Sequence, residues 1–319
     1  MKNFLKLTLT LLLTLAIVSC SDDDDNGNVM DPGGQTIADF VADNADYSTL
    51  LAALDRAGLV STLDGTTNYT VFAPNNTAFD AFLTANNFTS LDDVPTDVLT
   101  NVLLNHVVNG TVLSTQLTTG YVNTLGIAVD GLNLSMFVDT TSGVTLNGQS
   151  SVATADVEVD NGVIHAVDAV IGLPTVVTFA TADPTFSTLV AALTRSDQPD
   201  FVGILSTPDG TAPAPFTVFA PTNDAFGDLL TELGAGSLDD IDTATLTATL
   251  NLHVIGEANV RSTDLTDGPV TTLGGDVTVD ATNATITDSN GRVSNIIVVD
   301  VQAINGVVHA IDKVILPTL

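Results

Sequence analysis

A nine-residue stretch, Val71–Phe79 (VFAPNNTAF), returns with only two changes as Val218–Phe226 (VFAPTNDAF). In both copies Val and Phe favour a strand, and the following proline ends it. Asn or Thr then stands where a helix needs its N-cap, and the closing Ala-Phe pair returns the chain to the core. The stretch therefore predicts a strand-to-helix corner that is built twice. It contains no nucleophile with a neighbouring base.

Three further segments recur in the same order as the two corners. They pair Tyr47–Leu54 with Phe186–Leu193, Leu104–Val108 with Asn251–Ile255, and Asn161–Asp168 with Asn305–Asp312. Landmarks kept in one order, with small differences in spacing, indicate tandem duplication of a domain of about 140 residues. We expect the first domain at 36–174 and the second at 175–319.

Within each copy, helical patterns precede strand patterns. The first copy shows helical spacing of apolar residues at 37–54, 76–82 and 98–104. Its β-rich segments are 69–72, 133–138, 144–146, 152–159 and 163–170, mostly separated by Gly or Asn-Gly turns. Helices gathered in the first half and strands in the second predict an α+β fold for each domain.

Composition narrows the classes of partner. The chain has 319 residues, 45% of them hydrophobic, and a formal net charge of −31 from 38 acidic and 7 basic residues. Because phosphate binding requires Lys and Arg, this balance excludes a nucleic-acid or anionic-membrane surface. It suits a protein that meets cations, basic partners or uncharged glycans.

The N-terminus has the pattern of a secretory signal. Lys2 and Lys6 precede an apolar run at 7–18, which is too short to span a membrane comfortably, and Cys20 follows. The end of this segment resembles a bacterial lipobox, which implies removal of residues 1–19 and lipidation of Cys20. The alternative is an ordinary signal peptide with an incidental cysteine. A single cysteine also excludes a disulfide within the chain and any multi-cysteine metal site.

An acidic tether follows the cysteine, at residues 20–35. Its first part, Ser21–Asp25, resembles the surface-export tag of Bacteroidetes lipoproteins, although a plain solvated tether has the same composition. We therefore expect an exported protein that is held to the membrane only by its lipid, at the surface of the outer membrane.

The corner Val71–Phe79, the central His106 and the segment Asn161–Asp168 together resemble the fasciclin (FAS1) domain. The second copy carries the same three landmarks. The resemblance implies a β-sandwich or wedge packed with several helices. It also implies adhesion through extracellular matrix proteins, cell-surface proteins or glycans. A glycan-binding accessory lipoprotein for nutrient capture is the alternative, and no catalytic residues or cofactor are expected.

The resemblance also marks candidate contact residues. In animal members, a Tyr-His pair near the domain centre and an Asp-Ile pair before the last motif are implicated in adhesion. The matching residues are Asn105 and His106, Leu252 and His253, Asp156 and Val157, and Asp300 and Val301. The tyrosine is absent from both copies, and valine replaces isoleucine in both.

The second copy has eight extra residues between its Ser-Thr-Leu helix and its corner, around 197–216. This segment is rich in Pro, Asp and Gly, which predicts a surface loop. Binding residues are often carried on such loops. We therefore expect a contact surface that includes Pro208, Asp209 and Gly210.

All four histidines occupy equivalent positions in the two copies, at 106 and 165 and at 253 and 309. Each lies in an apolar run, which favours a buried imidazole bonded to the backbone over a metal ligand, because two histidines are too few for zinc. His165 and Asp168 lie three residues apart on a predicted strand and face opposite sides, so they are not expected to pair.

The acids from Asp156 to Asp160 suggest a calcium loop, but their alternation with valine favours the solvent-exposed face of a strand.

Overall fold

The computed structural model describes residues 34–128 and 131–318. The helices of the first domain are α1 (Ile37–Asp43), α2 (Ser48–Arg56), α3 (Val60–Leu63), α4 (Asn76–Ala85) and α5 (Thr96–Asn105). Its strands are β1 (Tyr69–Pro74), β2 (Val107–Asn109), β3 (Gly120–Ile127), β4 (Asn133–Asp139), β5 (Thr145–Leu146), β6 (Ser150–Val159) and β7 (Gly162–Val167).

The second domain repeats the same element order. Its helices are α6 (Val176–Ala182), α7 (Ser187–Leu193), α8 (Phe201–Leu205), α9 (Asn223–Leu233) and α10 (Thr243–Leu252). Its strands are β8 (Phe216–Pro221), β9 (Val254–Ile255), β10 (Gly268–Thr272), β11 (Gly275–Asp280), β12 (Thr285–Thr287), β13 (Val293–Ala303) and β14 (Gly306–Ile311).

The repeated motifs lie side by side in each sheet. The strand order is β2-β1-β7-β6-β5-β4-β3 in the first domain and β10-β11-β12-β13-β14-β8-β9 in the second. The corner strand runs parallel to the last strand, which places Phe72 opposite His165 and Phe219 opposite His309. The other strand pairs are antiparallel. The predicted α+β class is confirmed for both domains.

The corner has the geometry that its sequence predicts. The Asn75 side chain accepts a 2.9 Å hydrogen bond from the Ala78 N–H and caps α4. The Asn76 side chain instead accepts from the Thr49 N–H and donates to the Ala45 carbonyl, at 2.9 Å each. One asparagine therefore starts the helix, while the next fastens that helix to the start of α2.

Each sheet has one face against the helices and one face against its own far strands. In the first domain, Val71 and Ala73 pack in the larger cluster with α1, α2, α4 and α5. Phe72 points to the other side, where the sheet folds over itself. That second cluster consists of Phe72, Met136, Val138, Leu146, Val167 and Ile171. This is the wedge-like arrangement expected for the domain.

Asn161 has the sequence context of a turn residue, and its buried side chain also connects three separate segments of the chain. Its side chain accepts from the Ile37 N–H at 2.8 Å and donates to the carbonyls of Leu63 and Gly65 at 2.7 and 2.8 Å. The side chain thus joins α1, the end of α3 and the last hairpin. Asn305 makes the equivalent three bonds in the second domain.

The strands of the first domain differ from the sequence pattern in three places. β2 and β3 lie outside the β-rich segments from which strands are expected, and the strand expected at 163–170 ends at Val167. β3 alternates in burial only from Asn123 to Ile127, whereas Gly120, Tyr121 and Val122 are all half-buried, and Tyr121 faces the second domain. Residues 1–33, with Cys20 and most of the acidic tether, lie outside the described part of the chain.

The two domains touch directly along β3 and β4. Tyr121 donates a 2.9 Å hydrogen bond to Asp183, and its ring packs against Phe137 and Phe179 at centroid distances of 5.1 and 5.6 Å. Burial, together with the neighbouring Asp183 carboxylate, raises the pKa of Tyr121. Phe137 belongs to the first domain but packs in the core cluster of the second.

Within the described residues, no single helix is long and apolar enough to cross a membrane. The helical segments Val176–Ala182 and Pro184–Leu193 reach that length and composition only together, with a bend of 95° between them.

Candidate functional site

The two central histidines fasten helix to sheet. His106 lies at the C-terminus of α5, where its Nδ1–H donates to the Val102 carbonyl at 2.7 Å. Its Nε2 accepts from the Ile171 N–H at 2.9 Å, so the ring is neutral. Complete burial lowers its pKa to about 4. His253 makes the same two kinds of bond, and burial lowers its pKa to about 4 as well.

The other two histidines hold the last strand to a neighbouring loop. His165 donates from Nε2 to the Val112 carbonyl at 3.0 Å and accepts at Nδ1 from the Asp156 N–H at 3.2 Å. His309 has the equivalent bonds, the second from the Asp300 N–H at 3.3 Å, and burial lowers its pKa. In each ring both nitrogens are engaged with the backbone, so neither is free to act as a general base.

The two candidate aspartates occupy β-bulges and cap a turn. Asp156 has a φ of +61° and Asp300 a φ of +60°, in the left-handed region. The Asp156 carboxylate accepts from the Ser114 hydroxyl and N–H at 2.5 and 2.7 Å, and these bonds lower its pKa. Asp300 binds Ser262 in the same way at 2.6 and 2.8 Å. Both carboxylates therefore hold their loop in place.

Most of the other candidate contact residues are enclosed. Asn105 is fully buried and bonds the Thr124 hydroxyl at 3.1 Å, which ties α5 to β3. Leu252 and Val301 are buried in the second domain, and Val157 is half-buried against the first-domain core. Packing accounts for these three apolar side chains.

The acids of the suggested calcium loop do not form a site. Within residues 34–128 and 131–318, no three His, Cys, Asp or Glu side chains come close enough to hold a metal ion. Asp168 accepts from the Ser151 N–H at 2.7 Å and does not pair with His165. Asp312 makes the corresponding bond to the Asn295 N–H at 2.7 Å.

The predicted loop at 208–210 lies at the surface of the second domain, between α8 and β8. All three of its residues are exposed. Arg195 and Val202 are seven positions apart where their counterparts Arg56 and Val60 are four apart, so part of the extra length precedes α8 and the rest follows it. The loop is accessible to a partner on its whole outer side.

A larger candidate site lies between the domains. It is a cleft of about 610 Å³ with mainly polar walls. The first domain contributes Tyr121 and Asn133 among others, and the second contributes 298–302 of β13 and Arg261. Two of the candidate contact residues, Asp300 and Val301, therefore lie at a place that only the domain pair creates.

Arg261 supplies the positive charge of this cleft, and the Asp300 carboxylate beside it supplies a negative charge. Its guanidinium lies 3.4 Å from the Asp300 carboxylate, and its Nε is buried without a hydrogen-bond partner among the described residues. Burial of Asp300 opposes its ionisation, but the bonds from Ser262 and the charge of Arg261 outweigh burial and lower its pKa. The first copy has Leu113 at the position of Arg261, so this cation is specific to the second domain.

The β13 side of the cleft also presents apolar surface. Ile297, Val298 and Val299 are 52%, 40% and 45% exposed where bulges interrupt the pairing of β13 with β14. Val298 and Val299 line the cleft beside Arg261. A guanidinium, side-chain amides and small apolar patches in one cleft suit a ligand with both polar groups and apolar faces, such as a sugar or a peptide segment.

Sequence reasoning missed Arg261, although a signal was present. Only five Lys or Arg residues follow position 20. Arg56 and Arg195 occupy equivalent positions. They bind carbonyl groups of the segments that precede α5 and α10, respectively. Arg292 pairs with two carboxylates. In so acidic a chain, the three cations without a counterpart in the other copy, Arg261, Arg292 and Lys313, stand out as candidates, and of these Arg261 lines the cleft.

Two segments of the chain match the family model of the fasciclin domain, residues 45–174 and 184–317. The chain therefore belongs to the fasciclin domain family, with two domains in tandem. These segments agree with the repeat that the sequence alone indicates. No catalytic family is indicated by the similarities.

Several known proteins are similar to this chain. Protein sll1483 of Synechocystis is 36% identical over 179 residues, which are 54% of this chain and 90% of that protein. The cell surface glycolipoprotein MPB83 of Mycobacterium bovis is 34% identical over 145 residues, 44% of this chain and 60% of that protein. The FAS1 domain pair of the insect cell adhesion molecule Fasciclin I has the same fold, with a TM-score of 0.53 and 20% identity over 86% of this chain and 98% of that one.

Proposed function

We propose that this protein is a lipid-anchored cell-surface binding protein that recognises extracellular protein or glycan partners. The observation that carries the proposal is the cleft between the two domains, where Arg261 and exposed valines meet polar groups of the first domain. Residues of both domains line this cleft, so binding there requires the two domains together. The function is adhesion by non-covalent contact, without a chemical step.

The relatives support a location at the cell surface. MPB83 is named a cell surface glycolipoprotein, and a relative from Arthroderma benhamiae is named a fasciclin-like arabinogalactan protein. The domain pair with the same fold comes from a cell adhesion molecule. A formal charge of −31 further favours partners that are neutral or basic.

The lipid anchor rests on Cys20 and on the apolar run that precedes it. Several acyl chains hold a protein firmly, because each buried CH₂ contributes about 0.8 kcal/mol. The acidic residues after Cys20 then act as a solvated tether at the outer surface. If Cys20→Ala leaves the protein in the membrane fraction after cell lysis, anchoring by this cysteine is wrong.

The binding proposal is tested with the purified full-length chain on arrays of glycans and matrix proteins. We expect saturable binding to at least one ligand, and the responding array distinguishes a protein partner from a glycan. Arg261→Met should weaken that binding because it removes the guanidinium from the cleft. Lys313→Met is the matched control, since it removes the same charge from the same domain outside the cleft.

Two other results have distinct meanings. If deletion of Pro208–Gly210 abolishes binding while Arg261→Met binds as well as wild type, the contact lies at the loop and not in the cleft. Absence of binding to every ligand on both arrays contradicts the proposed function.

A further inference from the structure

An apolar cavity lies inside the second domain, away from the cleft. It occupies about 190 Å³ between α6, α7, α8 and the sheet. Val218 and Val308 form part of its floor, while Ala180 and Val190 form part of its walls. Its surface is almost wholly hydrocarbon, and no charged side chain lines it.

The cavity follows from smaller side chains at equivalent positions of the two copies. The hydrogen bonds of Asn161 and Asn305 align Ile37 with Val176, and the repeated helices extend this alignment. On that basis the first domain has Ile37, Val41, Leu51 and Ile164 where the second has Val176, Ala180, Val190 and Val308. All four replacements shorten a side chain, whereas Val177 in place of Ala38 and Thr181 in place of Ala42 are larger.

A cavity of this size and lining has a definite chemical preference. An engineered apolar cavity of about 150 Å³ stays free of water and binds benzene or xenon. With no polar group to hold water in its interior, this cavity also favours a hydrocarbon over solvent. Loss of packing contacts around an empty space is unfavourable, so a ligand that fills the space stabilises the domain.

One side of the cavity opens to solvent. Its lining includes three exposed residues, Thr181, Thr194 and Val202, which form the rim. The two threonine hydroxyls donate to carbonyls of their own helices, at 3.0 Å from Thr181 and 2.8 Å from Thr194. The first domain has Asp55 at the position of Thr194, so the second domain has lost a carboxylate at the rim.

We propose that the second domain binds the end of an unbranched alkyl chain in this cavity. The terminal methyl lies against Val218 and Val308, and an uncharged polar end remains at the threonine rim. An anionic end is disfavoured, because the protein carries a formal charge of −31. The ligand class is therefore a neutral amphiphile such as an alcohol or an ester. This site does not depend on the cleft or on its partner.

The test is an NMR titration of the full-length chain with primary alcohols from ethanol to octanol. We expect single-site binding whose affinity rises about fourfold for each added carbon. The rise should stop at about six carbons, the size of ligand that a cavity of this volume holds. Hexanoate should bind more weakly than hexanol because it is charged.

The filled variant combines Ala180→Val with Val190→Leu and restores two first-domain side chains. Its affinity for hexanol should fall about tenfold or more, because the room for several CH₂ groups is gone. If wild type binds no alcohol saturably, or if the filled variant binds hexanol as well as wild type, the assignment is overturned. Should that variant fail to fold, Thr194→Asp decides: weaker binding supports the site, and unchanged binding overturns it.

Discussion

The pH dependence of stability is the sharpest test of the buried histidines. His106 is enclosed and bonded on both nitrogens, with a pKa lowered from 6.5 to about 4. The unfolded chain takes up a proton near pH 6.5, whereas the native state resists until about pH 4. Acidification therefore favours the unfolded state across this interval. The stability contributed by the neutral ring is complete above pH 6.5 and decreases as the pH falls.

The magnitude follows from the two pKa values. Between about pH 7.5 and about pH 5, each such histidine removes about 2 kcal/mol from the free energy of unfolding. His253 has the same lowered pKa, and His309 acts in the same direction, so the second domain responds at least as strongly. The aspartates whose pKa is lowered, such as Asp156, affect stability only at more acidic pH, below their usual pKa of 3.8.

The assay can resolve the first domain by itself. All three tyrosines, Tyr47, Tyr69 and Tyr121, lie in that domain, and the chain has no tryptophan. Tyr121 contacts the second domain, so in a Tyr121→Phe background the fluorescence of Tyr47 and Tyr69 during urea unfolding reports the domain that contains His106, while circular dichroism reports both domains. His106→Gln provides the comparison because glutamine does not titrate. Whatever it costs in absolute stability, it should remove the His106 share of the pH dependence.

Two results would refute the reasoning. One is a wild-type first domain whose unfolding free energy changes by less than about 1 kcal/mol over the interval. The other is a His106→Gln variant that keeps the full pH dependence of wild type.

Three substitutions test the packing of the repeated motifs. In Gly162→Ala the new Cβ would lie 1.9 Å from the Tyr69 carbonyl oxygen. Soluble yield and circular dichroism should therefore show an unfolded first domain. Gly227→Ala is the control and should fold normally, because its new Cβ would lie in open space. Asn305→Asp replaces two donated hydrogen bonds by a carboxylate that faces carbonyl oxygens, and urea unfolding should show a loss of about 3 kcal/mol. Thr222→Ala removes the cap of α9 and should cost about 1 kcal/mol in the same assay.

Local chemistry explains which parts of the fold could be predicted from sequence. The corner at Val71–Phe79 combines a β-rich pair, a proline, a capping asparagine and a helical apolar pattern, each acting within a few residues. The buried backbone-bonded histidines also follow from their apolar neighbours. The duplication is visible in the sequence because the same local motifs occur in both copies. In these places the structure adds distances but changes no conclusion.

Contacts between distant parts of the chain explain what could not be predicted. Asn161 looks like a turn residue because Asn-Gly is a turn signal, yet it bonds the Leu63 carbonyl, 98 positions earlier. The cleft brings Tyr121 beside Arg261, and their separation along the chain leaves no local pattern. The first three residues of β3 show no alternation in burial, and Tyr121 among them packs against the second domain. Such features depend on tertiary and inter-domain packing, which short windows of sequence do not encode.

Comparison of the two copies separates the features that folding requires from those found in one domain only. The shared features, which are the capped corner, the buried asparagine, the paired histidines and the aspartate bulge, are all accounted for by folding. The features that differ are Arg261, the longer connections on both sides of α8, and the small side chains around the cavity. All of them belong to the second domain. Neither a cation at the cleft nor an underfilled core is needed for folding, which supports the two proposals that place ligand contacts on the second domain.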